Sequence, residues 1–417
     1  MSQTAPPHLP DSPALARVAR GDLCAGCGAC AMVAPGKVAM HDTAPGYLRP
    51  VQSAPLTAQQ EATVEAVCPG LRQSVEAQGR PDPVLWGPYK TMQTGHATNA
   101  AARFAGASGG GLSGMLLYLL DSGAVDAVVQ TTASDALPIG NAATVSQNAD
   151  EIIAAAGSRY APSAPLSELG TQLAAHKAHG TRHAFVGKPC DAAALRALTA
   201  RDAEIAAAFP VILSFFCAGV PSHKGGEEVL AKLGTDLKST AKFRFRGNGW
   251  PGQATALGHD GKERSMSYHE SWGGVLSRHV QMRCKLCADG TGVAADIVCA
   301  DAWESDAAGY PVFEEAPGIS LIVARTDLGA RLLAEAQTAG HLKTEPFNVD
   351  TLAAIQPGQR ERRRALFARL LGRKLAGKPI PRYEGLNIVA AARQNTAGRN
   401  LKNFLGMVRR SLRPKHP

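Results

Sequence analysis

Apolar and polar positions change period several times along the chain, and each change marks an element. Residues 112–120 (LSGMLLYLL) and 327–337 repeat apolar side chains at three- and four-residue intervals and predict helices. Residues 57–66, 149–156 and 227–232 predict shorter helices on the same grounds. Apolar runs at 125–130, 182–186, 210–216, 295–299 and 319–324 are bounded by Gly, Pro or Asp and predict strands. Strands alternating with helices imply an α/β (α+β) body built on a mixed sheet. The Pro-rich stretch GRPDPVLWGPYK separates that body from a small first unit. The expected divisions are 1–85, a body in two regions at 86–175 and 176–345, and a helical tail at 346–417.

A chain of 417 residues exceeds what one core usually holds, which agrees with several units. The longest apolar stretch, LSGMLLYLLDSGAVDAVV, is broken by Asp121 and Gly123 and falls short of a membrane span. MSQTAPPHLPDSP lacks the basic-then-apolar order of an export signal, so a cytoplasmic location with reduced thiols is expected.

Charge divides the chain. From Arg360 onward there are 16 Lys and Arg against Glu361 and Glu384, a net of +14; with a total of +9, the remainder carries about −5. The stretch LKNFLGMVRRSLRP spaces Leu401, Phe404, Leu405, Val408 and Leu412 on one helical face, with Lys402, Arg409, Arg410 and Arg413 largely off it. Two readings stand: the stripe packs on the protein, or the helix lies peripherally on an anionic membrane surface at the inner face of the cell membrane. Nucleic acid is not the expected partner, because the basic region holds no known binding module and few aromatics.

Cys24, Cys27 and Cys30 form CAGCGAC, and Cys68 opens CPG. Cys-x2-Cys-x2-Cys lets three thiolates from one loop converge on a four-iron cluster. The Cys-Pro that closes the bacterial ferredoxin run is replaced here by Ala34-Pro35, so Cys68-Pro69 is the expected fourth ligand. A zinc knuckle is the competing assignment. Four more cysteines fall in suggestive places. Cys190 and Cys217 follow predicted strands, at the edge where functional groups of α/β sheets collect, and Cys284 and Cys287 form CKLC, a two-ligand loop. Together they offer a second four-thiolate site. Cys299, inside the apolar strand, is expected in the core.

These blocks, with ASGGGLSGMLLYLLDSGAVDAVV, AGSRYAPSA, FRFRGNGWPG, HESWGG and CADAW between or beside them, resemble the coenzyme F420 hydrogenase and dehydrogenase beta subunit family from about 23 to 342. The resemblance is to the branch with an added ferredoxin-like N-terminal module. It implies a flavin-binding body, FAD, two [4Fe–4S] clusters, coenzyme F420 as a substrate, and a ferredoxin-like, hydrogenase or dehydrogenase redox partner. It also implies a core cluster on Cys190, Cys217, Cys284 and Cys287. Within that frame Ser108, Gly109, Gly110 and Gly111 are expected at the flavin or substrate, since a glycine turn opening a helix presents N–H groups to a pyrophosphate. Arg159 and Tyr160 offer a cation and a ring, and Lys188 a charge for a reduced flavin. Asn248, Trp250, Trp272, Asp301 and Trp303 are further candidates for the walls. His183 and His269 have no assigned chemistry, and no catalytic acid or base is named. The expected activity is FAD- and cluster-dependent oxidoreduction; the alternatives are an electron-transfer subunit without its own substrate and a zinc-thiolate interaction protein.

Overall fold

The computed structural model describes residues 12–302 and 315–412. The short apolar runs assemble into one eight-stranded sheet. Its order is Leu342–Pro346, Thr91–Ala97, Ser320–Ala324, Ile297–Asp301, Val211–Phe215, His183–Gly187, Ala127–Ala133, Asn141–Ser146. The four strands from Ile297–Asp301 to Ala127–Ala133 run parallel, and those outside them pair antiparallel.

Both faces of the parallel centre are covered, which is why HAFVG and VILSF read as mainly apolar runs rather than alternating ones. Ala184, Val186, Val211 and Leu213 face the helices Gly111–Asp121 and Asp327–Thr338, with Met115, Leu119 and Leu333 fully buried among them. Phe185 and Ile212, one residue out of step, face the helix Pro189–Thr199 and its Leu195 and Leu198. A smaller sheet of Thr240–Arg244, Gln253–Gly258 and Glu263–Ser267 packs with the helix His223–Lys232 around Phe243 and Phe245.

The structure shifts several predicted boundaries for identifiable reasons. The strand expected at 295–299 begins at Ile297, because Asp296 instead accepts from Arg196 Nη2 at 2.8 Å and the Ile212 N–H at 2.9 Å. The helix expected at 227–232 starts at His223; Gly225 and Gly226 hid its first turn, and they allow close packing on His279 and Ile139.

In the N-terminal part, Thr57 and Gln60 form a capping box that starts the helix Ala58–Val67, which ends on Cys68. Pro45-Gly46 turns a hairpin of Val38–Thr43 and Tyr47–Gln52. The C-terminal segment joins this part. Arg382–Glu384 pairs parallel with Arg72–Ser74, and Leu23, Val64, Leu71, Leu286, Leu366, Leu370 and Met407 share one core. Among the helices here are Pro357–Leu375 and Ala397–Leu412. The latter corrects one expectation: it packs through Met407 and Ser411, while Leu401, Leu405 and Leu412 of the apolar stripe remain exposed. Trp303 and Arg413 lie outside the described residues.

Candidate redox centre

The N-terminal cysteines sit on a loop that only glycine can draw so tight. Gly26 and Gly28 take φ of +76° and +87°, and a side chain at Gly28 would meet the Ser167 backbone nitrogen at 2.5 Å. A Cβ on Gly70 would reach the Leu23 carbonyl at 2.4 Å, so the CPG turn lies directly on this loop. Cys24, Cys27, Cys30 and Cys68 are thereby brought near one another, Cys27 buried and the other three half-buried. Burial pushes each of these thiols up, Cys68 to about 11, and neighbouring thiols add to the push on Cys27, Cys30 and Cys68.

The second set forms at the carboxyl edge of the parallel strands. Cys190 lies in the first turn of Pro189–Thr199, just past His183–Gly187, and Cys217 follows Val211–Phe215. Cys284 belongs to the one-turn helix Met282–Lys285, and Cys287 follows it. The loop is pinned over the strand ends by Arg362, which donates to the Cys217 carbonyl at 3.4 Å and the Cys284 carbonyl at 3.0 Å. Gln359 Nε2 reaches the Cys217 carbonyl at 2.9 Å. Burial and the charges of Cys284 and Cys287 push Cys217 up to about 12, and burial with Asp191 pushes Cys190 well up.

All eight cysteines are free thiols. Among the described residues no three His, Cys, Asp or Glu side chains stand close enough to hold a single metal ion. Such an ion draws thiolates to about 2.3 Å, whereas a four-iron cluster spreads them over separate corners. Burial favours the neutral thiol in both sets, so a metal centre held there would have to supply the positive charge that keeps its ligands deprotonated, and eight cysteines in two groups of four are the donor set such a centre needs.

The sets adjoin. The Cys27 thiol is near enough to Cys190 to add to the rise of its pKa, Asp191 likewise raises Cys27, and the helix Ala29–Val33 just after Cys27 packs on Pro189–Thr199. Arg283, nearly fully buried, lies beside Cys284 in sequence and donates through Nη2 to the Pro69 carbonyl at 2.6 Å, next to Cys68. It carries positive charge toward Cys24 and Cys68 of one set and Cys190, Cys284 and Cys287 of the other. Sequence reading passed over it; its signal was an arginine immediately before a cysteine ligand loop.

Lys188 is buried. Its Nζ lies 2.8 Å from Asp191 Oδ2, 2.8 Å from Ser163 Oγ and 3.1 Å from the Ser163 carbonyl. Burial alone would lower its pKa, but Asp191 and the nearby thiols outweigh that and hold it up, so the ammonium persists.

The turn Ser108–Gly111 enters the helix Gly111–Asp121 with Gly109 and Gly110 at positive φ. Ser108 Oγ donates to the Ile319 carbonyl at 2.7 Å, and the Gly111 N–H donates to Ser320 Oγ at 3.0 Å. The N–H groups of Gly109 and Gly110 have no hydrogen-bond partner among the described residues. Arg159 is tied to Asn141 Oδ1 at 2.9 Å and the Gly140 carbonyl at 3.2 Å, and burial lowers it to about 10. Tyr160 packs on Trp272, ring centres 4.8 Å apart, with Phe245 and Tyr268 beside it. Asp301 pairs with buried Arg246 at 2.9 Å, and the Arg246 guanidinium lies 5.0 Å from the Trp250 ring centre. Asn248 takes a positive φ in the same loop. His183 is buried against Phe209, ring centres 5.6 Å apart. Two open recesses of about 600 and 750 Å³ flank the smaller sheet, and no cysteine or 108–111 residue lines either.

An α/β body with two cysteine sets meeting at the carboxyl edge of its parallel strands has the build of an electron-transfer oxidoreductase subunit. Residues 92–169 match the N-terminal part, and residues 180–350 the C-terminal part, of the family described as coenzyme F420 hydrogenase/dehydrogenase, beta subunit. The chain belongs to the coenzyme F420 hydrogenase/dehydrogenase beta subunit family. Among solved structures it is similar to a chain of the F420-reducing [NiFe] hydrogenase complex from Methanosarcina barkeri, at 19% identity and a TM-score of 0.51. That match covers 69% of this chain and 96% of the other, and at this identity the likeness is one of fold. No curated protein matches the chain. No described helix is long and apolar enough to cross a membrane.

Proposed function

We propose that the chain is an iron–sulfur flavoprotein oxidoreductase, moving electrons between FAD and two [4Fe–4S] clusters and to or from coenzyme F420, a ferredoxin or a small organic substrate. The observation that carries this reading is the pair of four-cysteine sets, mostly half-buried, that adjoin at Cys27 and Cys190. Cys24, Cys27, Cys30 and Cys68 would hold one cluster, and Cys190, Cys217, Cys284 and Cys287 the other. When bound, FAD supplies interconversion of hydride and single-electron transfer, and the clusters supply one-electron transfer.

The chain's own groups then have distinct tasks. The Gly109 and Gly110 N–H groups, at the start of an eleven-residue helix, suit a phosphate oxygen. Buried Arg283 and half-buried Arg362 place fixed positive charge beside anionic thiolate sets, which favours the more negative, reduced state. Lys188 holds its ammonium against Asp191 at the same edge, one side of the second set. Arg159 and Tyr160 order the loop beside the smaller sheet, and their roles in flavin binding would be indirect, through that loop.

The redox partner in this reading is a hydrogenase or dehydrogenase complex or a ferredoxin-like protein. A second reading, an electron-transfer subunit with no substrate of its own, is favoured by the hydrogenase complex in which the structural neighbour occurs. Anaerobic stopped-flow reduction of the bound flavin separates the two. Rapid bleaching by reduced F420, reduced ferredoxin or NAD(P)H supports a free-standing enzyme; no reduction by any of them supports the subunit.

A further inference from the structure

The chain's positive charge gathers beside an apolar surface that its own fold leaves uncovered. Helices Pro357–Leu375 and Ala397–Leu412 run parallel, since their contacts advance together: Glu361 with Arg399, Arg369 with Asn403, Arg373 with Ser411. They approach closely at Gly372, where a Cβ would stand 2.6 Å from the Phe404 carbonyl and 3.3 Å from Met407 Cβ. One side of the pair, carrying Leu366, Leu370 and Met407, closes the core over the N-terminal part.

At 3.6 residues per turn, Leu371 and Leu375 of the first helix and Leu401, Leu405 and Leu412 of the second project from the opposite side. These five leucines are 45–70% exposed. Lys374, Lys402 and Arg409 are exposed on the outer flanks of this ridge. Glu361, the one acidic residue in the two helices, lies at the far end of the pair and is bound by Arg360, Arg364 and Arg399. The second helix could have turned its leucines inward, yet it packs through Ser411 and Met407. An apolar ridge rimmed by cations that form no ion pair among the described residues matches the surface of a bilayer: acyl chains below, anionic headgroups at the rim.

We propose that this leucine ridge docks the chain on a lipid bilayer whose surface carries anionic headgroups. The inference is independent of the redox reading, because vesicle binding needs no cofactor. The test is co-sedimentation of the full, anaerobically purified chain with phosphatidylglycerol–phosphatidylcholine vesicles and with phosphatidylcholine vesicles alone, with sedimentation velocity on the lipid-free protein. Binding is expected to the anionic vesicles and to weaken with salt. The L405Q/L412Q variant should bind about a hundredfold more weakly, roughly tenfold per leucine. K402Q/R409Q should lose about fivefold per charge. Both variants change exposed side chains, so folding is checked directly by circular dichroism. Absence of binding to anionic vesicles, or unchanged binding by L405Q/L412Q, overturns the proposal. So does a lipid-free dimer that L405Q/L412Q dissociates, which would assign the ridge to a second copy of this chain.

Discussion

Replacing Asp191 with asparagine strips the carboxylate from a buried ion pair that sits against the second cysteine set. In the parent, Asp191 Oδ2 accepts from Lys188 Nζ at 2.8 Å and from the Lys188 backbone N–H at 3.0 Å, with side chains 8% and 1% exposed. Two charges about 4 Å apart attract by about 4 kcal/mol at an effective dielectric constant near 20. Breaking a buried pair from one side usually costs about 3–5 kcal/mol, because the remaining charge stays desolvated. Asparagine keeps an acceptor for the backbone N–H, and Ser163 still accepts from Nζ at 2.8 and 3.1 Å, so the lower end, about 3 kcal/mol, is expected for D191N. Urea unfolding of anaerobically prepared protein, followed by far-ultraviolet circular dichroism, reads this as a lower midpoint. The K188M/D191N double variant should recover most of the loss, since it removes the stranded ammonium while asparagine still accepts from the buried backbone N–H. A D191N midpoint within about 0.5 kcal/mol of the parent would refute the reasoning, for it would mean that Lys188 is neutral or solvated.

Three further outcomes follow from the same geometry. R283Q removes positive charge that both cysteine sets feel, so both one-electron midpoint potentials should fall, by about 59 mV for each tenfold change in the reduction equilibrium; a redox titration followed by electron paramagnetic resonance measures them, and unchanged potentials would remove Arg283 from the electrostatics. C68S should remove about one cluster's iron while flavin and the second cluster stay bound, as iron, sulfide and flavin analysis would show, and unchanged iron would exclude Cys68 as a ligand. Burial lowers the pKa of His183, so its neutral form favours the fold: that contribution is complete above its ordinary value of about 6.5 and is lost as pH falls toward the lowered value. H183Q should therefore lose less stability between pH 7 and pH 5 than the parent, and equal losses would show that His183 protonates freely in the folded chain.

What could be read in the chain follows how local each feature is. The strands HAFVG and VILSF were legible because both faces are buried and their one internal polar residue, Ser214, is small and bonds to the Gly187 carbonyl of the neighbouring strand. Thr91–Ala97 (TMQTGHA) was not: it joins the sheet between two antiparallel neighbours with a mostly polar sequence, and its place depends on partners more than 200 residues away. The cysteine spacing pointed to two sets because each starts from a short motif, joined in one case by Cys68 at the end of a helix and in the other by Cys190 and Cys217 past strand ends. Arg283 and Arg363 escaped notice since their partners are distant: Arg363 donates to the Val84 carbonyl at 3.0 Å and the Leu386 carbonyl at 2.6 Å, joining linker, body and C-terminal segment. A basic run normally reads as a solvated surface, and nothing local marks which arginine will be buried. At 397–412 the apolar stripe was visible but left both a packed and an uncovered arrangement open; which side packs depends on the facing helix, where Gly372 admits Phe404 and Met407.

The central claim, two iron–sulfur clusters on eight cysteines meeting at Cys27 and Cys190, is tested most directly by counting metal. Anaerobically purified protein, analysed for iron, acid-labile sulfide and zinc and examined by electron paramagnetic resonance after reduction, should hold about eight iron and eight sulfide per chain. Its spectrum should show two cluster signals broadened by mutual interaction. A colourless protein holding zinc without sulfide, or iron for a single cluster that persists in both C68S and C217S, would contradict it.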